Sequence, residues 1–178
     1  RLSLPLFLIM ITIPAFASRT NMYADILTGV ADTGDAKGQL ATGMAFGFDV
    51  TPTLHGLTRL QYSFRPTTYE LAGKRDAFYS HMTAMAGLEF APVLGTLRSM
   101  GLSWHTSVLA GYGNTSVDVK GIGEESDQGM TFQMYTGLHY IYMQHIAPFI
   151  EAGWSHSLYS NTFSGNKIYG FQVLIGCR

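Results

Sequence analysis

The groups from which a hydrolytic, metal or phosphate site is built occur in this chain, but they are scattered. Six histidines, His55, His81, His105, His139, His145 and His156, have no cysteine or carboxylate at ligand spacing. They outline no zinc site and imply no cofactor. Gly111-Tyr112-Gly113 and Gly121-Ile122-Gly123 lack the strand–turn–helix setting of a phosphate loop. Residues 156–161, HSLYSN, place His156 near Ser160, a weak base–nucleophile arrangement. A larger set is more coherent: Asp49, Arg59, Gln61, Glu89, His105, His139 and Glu151. If these face one interior they must pair, because an unpaired buried charge is costly.

The elements that hold this set alternate strictly. In residues 39–50, QLATGMAFGFDV, Leu40, Thr42, Met44, Phe46, Phe48 and Val50 alternate with Gln39, Ala41, Gly43, Ala45, Gly47 and Asp49. A two-residue repeat predicts a β-strand and fits no face of a helix. The same pattern predicts strands over 77–91, 101–113, 130–142, 146–154 and 167–176, with weaker ones over 22–32 and 57–65. Polar connections at 32–38, 67–76, 120–129 and 160–167 are expected at one end. The connections at 51–56, 91–100 and 143–146 are expected at the other. Every member of the polar set falls on the small-residue face.

Residues 1–17, RLSLPLFLIMITIPAFA, have a basic start, an apolar run and Ala15-Phe16-Ala17, the pattern of a cleaved export signal, leaving 18–178 as one domain. One cysteine, Cys177, allows no internal disulfide. A net charge of −1 argues against a nucleic-acid binder. Charged residues make up 13% of the chain, against ~25% in ordinary soluble domains. A soluble sandwich would place Lys, Glu, Asp and Arg on its wet face. Here the polar face is mostly Gly, Ala, Ser, Thr, Gln and His, which suits the packed lumen of a narrow barrel. The bulky face then meets lipid. Its aromatics form two bands, Phe48, Phe90, Trp104, Tyr140 and Tyr142 at the turn end, and Phe64, Phe78, Tyr112, Phe132 and Tyr169 at the loop end.

The export signal, eight alternating strands and loop asymmetry resemble the small OmpA/OmpX-type outer-membrane β-barrels. The resemblance covers essentially the whole mature chain through pattern rather than a sharp motif. It implies an all-β, eight-stranded, antiparallel up-and-down transmembrane barrel in a bacterial outer membrane, in contact with lipid and lipopolysaccharide. Members usually close on an aromatic residue, whereas this sequence reads Gly176-Cys177-Arg178. Some small barrels of this size are lipid A deacylases with an outward His-x-Ser-Asn motif, but Leu158 stands where that Ser would be.

Turn centres near 54 and 145 predict two interior pairs, Asp49 with Arg59 and His139 with Glu151, joined by Glu89, His105 and Gln61 into a polar plug. The expected function is a non-enzymatic scaffold that displays external loops to host or envelope proteins. Within those loops, Glu124, Glu125 and Asp127 form the first candidate contact. The alternatives are a lipid A-modifying enzyme, which needs an outward catalytic group, and a small-solute or ion channel, which needs a continuous wet lumen.

Overall fold

The computed structural model describes residues 22–33, 36–70, 74–141, 146–159 and 167–178. The export signal at 1–17, together with Tyr142, His145, Ser160 and Asn161, lies outside the described residues. The alternating segments form eight strands: β1 (Met22–Thr33), β2 (Ala36–Thr51), β3 (Leu54–Glu70), β4 (Lys74–Phe90), β5 (Leu102–Val119), β6 (Gly123–Tyr140), β7 (Pro148–Tyr159) and β8 (Lys167–Cys177). Each pairs antiparallel with the next, and β8 returns to β1 from Ile26↔Cys177 to Thr33↔Gly170. The sheet closes into a ring, which removes the free edges of an open sheet over the length the strands share.

The two faces sort as the repeat predicts. Ile26, Val30, Leu40, Met44, Phe46, Met82, Leu88, Val108, Met130, Met134, Ile150 and Val173 are exposed on the outside. Trp154 is exposed there as well, and Trp104 is directed outward, its indole N–H donating to Thr136 Oγ1 at 2.8 Å. An apolar surface of this extent is unsuited to water and matches the hydrocarbon of a bilayer. The interior holds the polar residues together with Leu27, Leu57, Met85, Leu109, Tyr135 and Leu174.

Eight strands enclose little volume, which explains the small inner residues. A Cβ placed on Gly87 would lie 2.0 Å from the Val108 carbonyl oxygen and 2.9 Å from Leu109 Cα. Gly121, at φ +80°, makes the short turn between β5 and β6.

Two features differ from the sequence expectation. The segment 91–100 contains a short helix, α1 (Gly95–Ser99), with no buried residue. The segments 67–76 and 120–129, expected as loops, are mostly strand: β3 and β4 run to Glu70 and Lys74, and β5 and β6 extend to Val119 and Gly123. Along β5 the outward residues are apolar or small from Leu102 to Tyr112, then polar at Asn114, Ser116 and Asp118. β6 mirrors this, apolar from Tyr140 to Met130 and polar at Gln128, Ser126 and Glu124. Each strand has 18 residues, whereas a tilted membrane-spanning strand needs about 9–11. The remainder continues the ladder beyond the apolar band, where neither face meets lipid and the alternation fades.

The band makes a prediction at Met134, which is exposed on the outer face of β6. Met134→Arg is expected to cost about 2–4 kcal/mol, the penalty for a cation at mid-bilayer depth. Urea-dependent unfolding in lipid vesicles checks it, and a cost below about 0.5 kcal/mol would place this residue in water.

Candidate functional site

The interior is a stack of three polar layers, and the lowest is a charged plug at the turn rim. Arg59 of β3 reaches across the lumen to Glu151 of β7. Its Nη1 donates to Oε1 at 2.6 Å and its Nη2 to Oε2 at 3.1 Å, with both side chains 2% exposed. The Arg59 guanidinium also lies 4.3 Å from the centroid of the Tyr135 ring. His105 Nε2 stands 3.4 Å from Glu151 Oε2, and the His105 and His139 rings lie with centroids 4.3 Å apart, tilted 46° to one another. Phe149 closes over both imidazoles at 6.3 and 5.0 Å.

A second fork completes the plug. Arg178, just past β8, donates to Asp25 of β1 (2.9 and 3.0 Å) and to Glu89 of β4 (2.9 and 3.0 Å). Its guanidinium covers the Tyr23 ring at 3.6 Å, and the Tyr23 hydroxyl donates to Glu89 Oε1 at 3.0 Å. Burial alone would lower the Arg178 pKa, but the hydrogen bonds to Asp25 and Glu89 hold it above the ordinary arginine range. The Arg178 backbone pairs with Ala147 in both directions. One residue therefore ties β1 and β4 to the β8 end and to Ala147, just before β7.

Above the plug lies an amide layer. Gln61 Nε2 donates to Gln172 Oε1 at 2.6 Å, the Tyr135 hydroxyl donates to Gln133 Oε1 at 2.6 Å, and Ser63 Oγ donates to Gln39 Oε1 at 2.9 Å. The third layer joins His81 to the Tyr159 hydroxyl (2.8 Å), that hydroxyl to Thr115 (3.1 Å), and Thr131 to Ser157 (2.9 Å). Most side chains of these layers are paired, while Arg59 Nε and Gln133 Nε2 have no hydrogen-bond partner among the described residues; the paired groups fix register in a low-dielectric interior.

The structure brings Arg59, Gln61, Glu89, His105, His139 and Glu151 into one interior, but it pairs them differently from the sequence expectation. Asp49 does not meet Arg59. The β2–β3 turn is shorter than expected and the register slips between Asp49 and Thr51, so Asp49 faces His55, with His55 Nδ1 2.7 Å from Asp49 Oδ1 at the half-exposed rim. Glu151 does not meet His139. The register sets Gly137 opposite Glu151 and His139 opposite Phe149, freeing Glu151 to point across the lumen. Among the other candidates, Glu124 and Glu125 are exposed on β6, but Asp127 is buried, its Oδ1 accepting from the Gln128 N–H at 2.8 Å. His156 is half-buried on the outer face, stacked on Trp154 at 5.3 Å, with Phe132 and Tyr169 beside it in register. Ser160 lies outside the described residues.

Sequence reasoning missed Arg178, Tyr23 and Tyr135. Arg178 follows the alternating run, and the two tyrosines fall on the small-residue face by parity, where a ring by itself signals no charged partner. Asp25 had the right face but no visible partner, because its cation comes from the far end of the chain.

The Arg59–Glu151 fork yields a double-mutant test. Arg59→Met alone strands a buried carboxylate and is expected to cost about 3–5 kcal/mol, as is Glu151→Met. The Arg59→Met/Glu151→Met double variant is expected to cost well under the sum, since the two act as one unit. Additive losses in urea unfolding would mean that the pair is not coupled.

Solved structures share this architecture. Neisserial surface protein A (NspA) superposes with a TM-score of 0.62 at 11% identity, over 89% of this chain and 96% of that one. Ail, the attachment invasion locus protein of Yersinia pestis, in complex with the heparin analogue sucrose octasulfate, gives 0.51 at 12% identity, with the same coverage. No family model and no curated protein matches the chain by sequence. The closed eight-strand ladder, lipid-compatible exterior and charge-plugged lumen thus give this chain the fold of the small outer-membrane β-barrels.

Proposed function

We propose that the protein is an outer-membrane scaffold that presents the far ends of β3, β4, β5 and β6 as a rigid wall for contact with other proteins. The observation that carries this reading is the continuation of those strands beyond the apolar band as paired ladder. Thr68↔Asp76, Asp118↔Glu124 and Ser116↔Ser126 remain in register there. A paired wall holds its side chains in place, so binding orders less chain than a mobile loop would. The plugged lumen supports a support role over a conduit, since wide aqueous channels need about 16 strands or more.

Charge on the wall favours one class of partner. Among the exposed residues over 75–77 and 117–127 there are four acids (Asp76, Asp118, Glu124, Glu125) and two bases (Arg75, Lys120), a balance of −2. Ail is seen with a heparin analogue, but a wall of this sign repels sulfated polysaccharide and attracts basic protein surfaces.

Two measurements test the reading. Purified protein in planar bilayers at neutral pH is expected to be silent, and steady conductance would favour a channel. Protein-bearing vesicles are expected to bind oligolysine at low salt and not heparin, with Glu124→Lys/Glu125→Lys weakening that binding roughly tenfold. Retention on heparin, or indifference to the double substitution, would contradict the assignment of the wall.

A further inference from the structure

The turn-rim plug gathers two guanidinium groups, Arg59 and Arg178, and three carboxylates, Asp25, Glu89 and Glu151. Three imidazoles lie against it. His105 Nε2 is 3.4 Å from Glu151 Oε2, the His139 ring lies 4.3 Å from that of His105, and His55 stands opposite Glu89 in register and edge-on to Tyr23 at the rim. His105 Nδ1 and His139 Nε2 have no hydrogen-bond partner among the described residues.

We infer that the closely packed His105–His139 pair is a proton-sensing lock, in which protonation of both rings drives them apart and loosens Phe149 and the Arg59–Glu151 fork. Protons on both would set two like charges in rings 4.3 Å apart, in a site where all three carboxylates are already engaged by guanidinium groups. Charged and titratable groups reach the pair from the surrounding strands. β3 brings Arg59, β4 brings Glu89, β6 brings Tyr135 beneath Arg59, β7 brings Glu151, and β1 with the β8 end brings Tyr23, Asp25 and Arg178. β2 and β3 also bring the Asp49–His55 pair at the rim, where His55 lies opposite Glu89 in register and edge-on to the Tyr23 ring at 6.0 Å. Phe149 shields both imidazoles, so the charge is not relieved by water while the plug stays closed. The open form accepts the extra proton more readily, so falling pH favours opening.

The test uses the full chain folded in detergent micelles. The thermal unfolding midpoint is followed from about pH 8 to about pH 5, where free imidazole titrates and most carboxylates stay ionised. The wild-type midpoint is expected to fall by about 5 °C or more across that range. His139→Phe keeps a ring against Phe149 and cannot take a proton, so it should lose at least half of the fall. A flat wild-type profile, or an undiminished fall in His139→Phe, would overturn the inference. Histidine-ring NMR of the wild type gives an answer even if the variant does not fold. Two coupled steps for His105 and His139, with Tyr135 signals moving on the second, support the lock; independent titration, or no titration above about pH 5, sinks it.

Discussion

A narrow closed ring of eight strands holds its inward side chains away from bulk water. Every ionisable group turned inward must therefore find its counter-charge within the lumen, and this constraint organises the molecule. Arg59 cannot be met by its β2 neighbour, since Ala45 is its partner in register, so it reaches across to Glu151 on β7. Asp25 and Glu89, on β1 and β4, are drawn together by one guanidinium from the end of β8. These links run across the barrel as well as around it, and such pairs are costly to break singly because the survivor stays buried. They act as cross-braces on a tube whose walls are held only by strand pairing.

The braces and the projecting strands are two parts of one arrangement. An apolar band on the outside sets how the barrel sits in lipid, and the plug keeps its base rigid. β3 to β6 can then extend past the band without fraying, because each is paired on both sides over much of its length, Ala77↔Val119 being the last pair between β4 and β5. The wall is a continuation of the barrel rather than loops set upon it. That rigidity favours a surface whose contacts are fixed before any partner arrives, while the closed interior makes transport a poor use of the fold.

The face of almost every residue could be read from the two-residue repeat, down to the change of parity in the last strand, where Phe171, Val173 and Ile175 face out. Two kinds of information could not. Pairing across the lumen leaves no trace in local sequence: Arg59 and Glu151 are 92 residues apart on non-adjacent strands. Predictions from turn centres reach only adjacent strands, and a slip at a turn moves every partner, as happened to Asp49 and His139. The second kind was strand outside the bilayer. Residues 117–127 lose their apolar stripe past the band, so Glu124 and Glu125 read as loop although they stand on β6, and Asp127, three residues from Glu124, turns inward.

The facing of alternate residues is the claim on which the braces, the wall and the lipid band all rest. Spin labels placed one at a time along 130–138 in a Cys177→Ser background, in lipid vesicles, would test it through collision with oxygen and with a water-soluble nickel complex. Labels at Met130, Phe132, Met134 and Leu138 should be reached by oxygen, and labels at Thr131, Gln133 and Tyr135 by neither agent. Oxygen contact at the odd positions, or free access of nickel to both sets, would contradict the barrel as described.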